Sequence, residues 1–176
     1  MNKTKTYKYI LGGIIIGCLT WLLCGTVSIF NDPYSTVVYA RDGRLLGAHI
    51  ANDEQWRFPM IDSVPQHFKD AVTTFEDKRY YSHAGVDFLA IGRAAIENIK
   101  AGTVISGAST ITMQTIRLSR KGKARSLWQK LIEAALATRL ELKTDKETIL
   151  CMYATHAPFG GNVIGCLLYT SPSPRD

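Results

Sequence analysis

The chain changes its hydrophobic period twice along its length. Tyr9 to Phe30, YILGGIIIGCLTWLLCGTVSIF, is an uncharged run of 22 residues. As a helix it would cross about 30 Å of hydrocarbon. Lys3, Lys5 and Lys8 precede it. The run therefore predicts a transmembrane signal anchor at 9–30, with residues 1–8 in the cytoplasm and everything after Phe30 outside. It is longer than the core of a cleaved signal peptide and continues past the lipoprotein-like IIGC that ends at Cys18. Residues 35–58, STVVYARDGRLLGAHIANDEQWRF, alternate instead, and Asp42-Gly43 marks a hairpin turn. Residues 31–63 thus read as a β-containing linker.

From Val64 the spacing is helical. VPQHFKDAVTTFEDKRYY puts Phe68, Val72 and Phe75 on one face, with Pro65 suited to a first turn. VDFLAIGRAAIENIKAG predicts a second helix, capped by Asp87 and stopped by Gly102. STITMQTIRLSR predicts a third, with Ser109 or Thr110 as its cap. A fourth runs from about Lys123 to Lys143, where Leu127, Trp128, Leu131, Ile132, Ala135, Leu136, Leu140 and Leu142 make a wide apolar stripe. The last starts at Asp145 and is ended by Pro158, Gly160 and Gly161. The expected fold is mainly α, with a small β-element at its N-terminal side.

Length adds one constraint: 176 residues suit one domain with a real core rather than two. Charge adds another. The chain carries 21 Lys+Arg against 15 Asp+Glu, a net of +6, which suits an anionic partner. No acidic residue falls between Glu97 and Glu133, while Lys100, Arg117, Arg120, Lys121, Lys123, Arg125 and Lys130 do. A solvated basic face accounts for this equally well. The four cysteines show neither zinc-knuckle nor CxxC spacing, so neither a disulfide framework nor a structural metal is expected.

Three stretches could carry chemistry. In TTFEDKRYYSHAGVD, Glu76 falls at a helix C-terminus, where the dipole disfavours a carboxylate; an exposed surface Glu is the plain alternative. His83 sits in a tight HAG turn, away from any helical face shared with His67, and no HExxH exists, so zinc is rejected. In GAST, Gly107 to Thr110, a loop opening a helix offers free N–H groups to phosphate, or is only a cap. It is not a Walker loop, because no GKS/T follows. Lys130 and Glu133 share a helix face, as a surface ion pair worth a few tenths of a kcal/mol or as two groups turned to a common cleft.

In order, EDKRYYSHAGVD, GASTITMQ, QKLIE and KETILCMYATHAPFGGN resemble the successive motifs of the peptidoglycan glycosyltransferases (family 51). These form the membrane-anchored half of class A penicillin-binding proteins and the monofunctional transglycosylases. The resemblance covers about Pro33 to Gly165. It implies a lysozyme-like helical fold. The implied reaction polymerises lipid II, a disaccharide-pentapeptide on undecaprenyl diphosphate, into β-1,4-linked glycan with inversion and without a nucleotide. Implied partners are lipid II, the growing glycan, the membrane and cell-wall synthesis proteins, not nucleic acid. The implied location is the inner (cytoplasmic) membrane, single-pass, with the catalytic domain on the outer side.

By this resemblance Glu76 matches the catalytic general base, which takes the proton of the acceptor GlcNAc 4-hydroxyl in a partly desolvated cleft. Lys130 and Glu133 match the RKxxE motif. The lysine would hold the diphosphate, and Glu133 would assist catalysis directly or through a divalent cation, Mg2+ or Mn2+. Ser109, Thr110 and Gln114 match the donor-side GxSTITQQ positions, and His83 and Asp87 match positions with structural or donor-site roles. Gln129 stands where the motif has Arg, and Arg125, one turn earlier on the same face, is the expected compensation. ILCMYAT replaces ILExYLN, putting Cys151, Ala154 and Thr155 in a motif that supports the cleft.

After Gly165, CLLYTSPSPRD resembles translated adaptor sequence. Residues 64–165 are therefore expected to be an incomplete transferase domain, 166–176 a non-native tail, and the natural protein to continue. No SxxK, SxN or KTG set of a transpeptidase is present. The alternative function is a catalytically impaired, membrane-anchored module of the same fold that binds lipid II or the cell wall. A lytic muramidase of similar shape is a third.

Overall fold

Strands β1 (Thr36–Tyr39) and β2 (Leu45–His49) pair as the antiparallel hairpin that the alternation predicts. The turn is built by its own residues. Asp42 Oδ1 accepts from the Arg44 N–H at 3.0 Å, and Gly43 takes φ 82°, which glycine adopts without steric cost. The computed structural model describes residues 12, 13, 16, 17, 20, 21, 29–60, 62–121 and 126–165. Most of the expected anchor at 9–30, Arg125, and the tail at 166–176 lie outside the described residues. Among the described residues no helix is long and apolar enough to cross a membrane.

Beyond the hairpin the domain is mainly helical. Helix α1 (Gln66–Glu76) leads through a 3-10 turn (Tyr80–Ser82) to α2 (Phe88–Ala101), α3 (Ile111–Ser119), α4 (Leu127–Glu141) and α5 (Lys146–His156). The ends follow local chemistry. Asp87, Thr110, Ser126 and Asp145 accept the N–H three residues on, and Gly102 closes α2 in the left-handed region. Of the two cap candidates for α3, Thr110 holds the position. Helix α4 is shorter than the span 123–143: its cap is Ser126, and it ends at Glu141.

A second sheet was not foreseen. Strand β3 (Trp56–Arg57) pairs in parallel with β5 (Val163–Ile164), which pairs antiparallel with β4 (Pro158–Gly160). The Pro/Gly-rich stretch that ends α5 therefore also ties the chain after α5 to the chain ahead of α1. Parallel pairing of distant two-residue strands leaves no local period to read.

The core sits where α3 packs against both α4 and α5. Ile111 and Ile116 of α3, Ala137 and Leu140 of α4, and Ile149, Leu150 and Ala154 of α5 are almost wholly buried. Each large aliphatic contributes roughly 1.5–3 kcal/mol by leaving water. A polar network runs through the same helices. Thr112 Oγ1 and Lys146 Nζ both donate to Glu141 Oε1, at 2.5 and 2.8 Å. The Lys146 ammonium lies 4.4 Å from the Tyr80 ring centroid, and Tyr80 Oη donates to the Lys146 carbonyl at 2.7 Å. Burial pushes the Tyr80 phenol far above its ordinary range.

Two stripes expected from spacing are not fully covered. Phe68 and Val72 pack on the core, but Phe75 is exposed. Leu127, Trp128, Leu131 and Leu142 are exposed as well; of the expected α4 stripe Leu140 is buried and Leu136 packs on the core. Periodicity identifies an apolar face but not what covers it.

Candidate active site

Helix α1 ends on Glu76, and the chain then turns sharply through the buried Asp77. Asp77 Oδ2 accepts from the Ile111 N–H at 3.1 Å, at the first residue of α3. His83 Nε2 donates to the same oxygen at 2.9 Å. One carboxylate thus fixes the end of α1, the loop after it and the start of α3. Gly85 completes the junction at φ +87°, because a Cβ there would stand 2.6 Å from the Ala137 carbonyl carbon and the Thr138 nitrogen. Its own carbonyl accepts from Thr110 Oγ1 at 2.7 Å.

These contacts bring Glu76 and Gln114 together from separate helices. Gln114 Nε2 donates to Glu76 Oε2 at 2.8 Å. Glu76 is exposed, so its setting is the rim of a cleft rather than the partly desolvated interior expected for it. The cleft holds about 340 Å³ and is lined by Phe75, Glu76, Asp77, Lys78, Arg79, Asp87, Leu89, Ala90, Arg93 and the loop from Gly107 to Thr110. This volume lies at the lower end of the range of small-molecule sites, about 300–1,000 Å³. Its charges are mixed, with three carboxylates facing Lys78, Arg79 and Arg93.

Asp87 caps α2, accepting from Ala90 N–H at 2.7 Å, and is also gripped by Arg79, whose Nε donates to Oδ2 at 2.8 Å and whose other arm reaches Oδ1. The Arg79 guanidinium holds the Asp87 carboxyl down to about 2, against the penalty of burial, with the Ala90 amide helping. Tyr153 of α5 feels the charge of Glu76. Burial raises its phenol, the Glu76 charge raises it further, and Arg117 opposes.

The residues singled out from sequence divide into groups. Glu76, Asp87, Ser109 and Thr110 line the cleft, and Gln114 bonds to Glu76 at its edge. The Thr110 hydroxyl is already engaged on both sides, donating to Gly85 and accepting from Met113 N–H at 3.1 Å. Ser109 is half-buried and makes no hydrogen bond among the described residues. Buried His83 acts on the cleft through Asp77. Lys130 and Glu133 lie on α4 outside the cleft lining; the lysine is exposed, the glutamate is buried, and no ion pair joins them. Gln129 buries its Oε1 without a partner, as Arg120 buries one guanidinium nitrogen. Among the described residues no group of three His, Cys, Asp or Glu is placed to hold a metal.

Sequence reasoning gave no individual site role to Asp77, Arg79, Arg93, Arg117 or Tyr153, although Asp77 stood in the TTFEDKRYYSHAGVD stretch and Arg117 in the basic segment. Asp77 and Arg79 lay inside the EDKR stretch, and Arg117 lies one helical turn beyond Gln114, so spacing offered a signal. Arg93 and Tyr153 offered none.

Comparison with known proteins identifies the class of this mainly helical domain. The profile described as Transglycosylase matches residues 42–167, and the chain belongs to that family. Its relatives include penicillin-binding protein 1A of Neisseria flavescens, 39% identical over 136 residues that make up 77% of this chain and 17% of that protein. Penicillin-binding protein 1C of Escherichia coli (strain K12) is 38% identical over 136 residues, 73% of this chain and 17% of that protein. Penicillin-binding protein 1A of Aquifex aeolicus (strain VF5) is 32% identical over 172 residues, 90% of this chain and 23% of that protein. PYSTVVYARDGRLLGAHIANDEQWRFP, the Met of GASTITMQ and APFGGN resemble the 1C type in particular. The chain spans about a fifth of the length of these relatives.

Proposed function

We propose that the chain is a peptidoglycan glycosyltransferase of lysozyme-like fold that polymerises lipid II into β-1,4-linked glycan. The observation that carries this reading is the Glu76–Gln114 bond, which joins the first two motifs at the rim of the cleft. The amide occupies Oε2, and Oε1 has no hydrogen bond among the described residues, so one oxygen remains to take a proton.

In this reading Glu76 receives the proton of the acceptor 4-hydroxyl as that oxygen bonds to the donor's anomeric carbon. The bond from that carbon to phosphate breaks on the opposite face, and its electron pair leaves on undecaprenyl diphosphate, giving inversion. A diphosphate needs charge stabilisation more than a proton. The half-buried Ser109 hydroxyl is left to donate a hydrogen bond, since Asp77 and Thr110 already take the Ile111 and Met113 N–H groups, and by its motif match Lys130 supplies positive charge. Were a divalent cation to take part, Glu133 would be the carboxylate to hold it, and the ion would offset charge on the leaving diphosphate. The anchor at 9–30 would hold the domain beside its lipid-linked substrate.

A second reading, binding without turnover, is favoured by Gln129, which removes one positive charge from the RKxxE motif and buries an unpartnered oxygen. Incubation of the membrane-anchored chain with labelled lipid II in detergent separates the two. A glycan ladder on a gel is expected. Bound lipid II with no ladder selects the second reading, and no binding overturns both.

A further inference from the structure

We propose that Asn98 is a positioning residue that sets the loop wall of the cleft, Gly107 to Ser109, at the distance from α2 that a diphosphate-linked sugar requires; this rests on the glycosyltransferase reading above. Asn98 lies on α2, just beyond the residues of that helix that line the cleft, and does not itself line it. Its side chain grips the loop in both senses. Oδ1 accepts from the Ile105 and Ser106 N–H groups at 2.8 and 2.9 Å, and Nδ2 donates to the Ser106 carbonyl at 3.0 Å.

Burial does not hold this part of the loop, since Val104 is 86% and Ile105 65% exposed. Downstream, Thr110 is fixed to Gly85 and Ile111 to Asp77. Gly107, Ala108 and Ser109 are suspended between the two anchorages, with no hydrogen bond of their own among the described residues. Only a carboxamide both accepts and donates here. Aspartate keeps the accepting half, and leucine of similar size keeps neither. Neither Asn98 nor the loop it holds belongs to the α3–α4–α5 core, so its loss is separable from unfolding.

The test compares wild type, Asn98→Leu and Asn98→Asp in the whole membrane-anchored chain. It measures lipid II polymerisation, thermal midpoint and amide hydrogen exchange. Asn98→Leu is expected to lower kcat/KM by about ten- to hundredfold while the midpoint moves by less than about 2 °C. Exchange at Ile105 and Ser106 should speed up, and Asn98→Asp should recover most of the activity. Unchanged kinetics in Asn98→Leu, equal impairment of both variants, or losses that merely follow the midpoint would overturn the proposal. A wild type that forms no glycan from lipid II, whether or not it binds it, overturns the glycosyltransferase reading itself, and this inference with it.

Discussion

The side-chain amide of Gln114 donates to Glu76 Oε2 at 2.8 Å, across the gap between two helices that are distant in sequence. Glu76 is exposed at a helix end, so packing contributes little to its orientation. Gln114→Leu removes the bond while keeping most of the volume. Turnover of lipid II should fall about tenfold, matching one hydrogen bond to a charged group. The thermal midpoint should hardly move. Steady-state polymerisation rates beside a melting curve check both halves.

Gly85 is a packing requirement rather than a chemical one. Its positive φ and the backbone of Ala137 and Thr138 leave no room for a methyl group. Gly85→Ala is expected to destabilise the fold by about 3 kcal/mol or more, through strain and overpacking together. Urea denaturation measures it.

Asp87 ties stability to acid. Its folded-state value is depressed to about 2 from 3.8, so its contribution is fully present above 3.8 and is lost as pH falls toward 2. The Arg79 partner is 40% exposed, so screening reduces the effect to on the order of 1 kcal/mol. Urea midpoints of wild type and Asp87→Asn should differ above pH 4 and converge near pH 2.

Glu141 is the hub of the buried network, accepting from Thr112 and Lys146 with its side chain 5% exposed. Glu141→Ala strands a partly buried ammonium and the Thr112 hydroxyl, and should cost about 2 kcal/mol. A double variant that also carries Lys146→Met should recover part of the loss. Chemical denaturation of the three proteins tests this.

What was legible in the sequence was local. The Asp42-Gly43 turn, the Asp87, Thr110 and Asp145 caps and the Gly102 stop each depend on residues within a few positions of one another. Glu76, Asp87, Ser109, Thr110 and Gln114 were found by motif, and they do gather at one cleft. The β3–β5 pairing, the Asp77 bond to Ile111 and the Glu141 network join distant segments, and neither period nor propensity encodes such partners. The exposed Leu127, Trp128 and Leu131 show the reverse case, an apolar pattern whose cover the sequence did not reveal.

The central claim is that the Glu76 carboxylate takes the acceptor's proton. Glu76→Gln keeps shape and hydrogen bonding but removes the base, so lipid II polymerisation by this variant is the most direct measurement. Binding and thermal midpoint should match wild type, while glycan synthesis falls by about a hundredfold or more. An undiminished ladder from Glu76→Gln would contradict the claim.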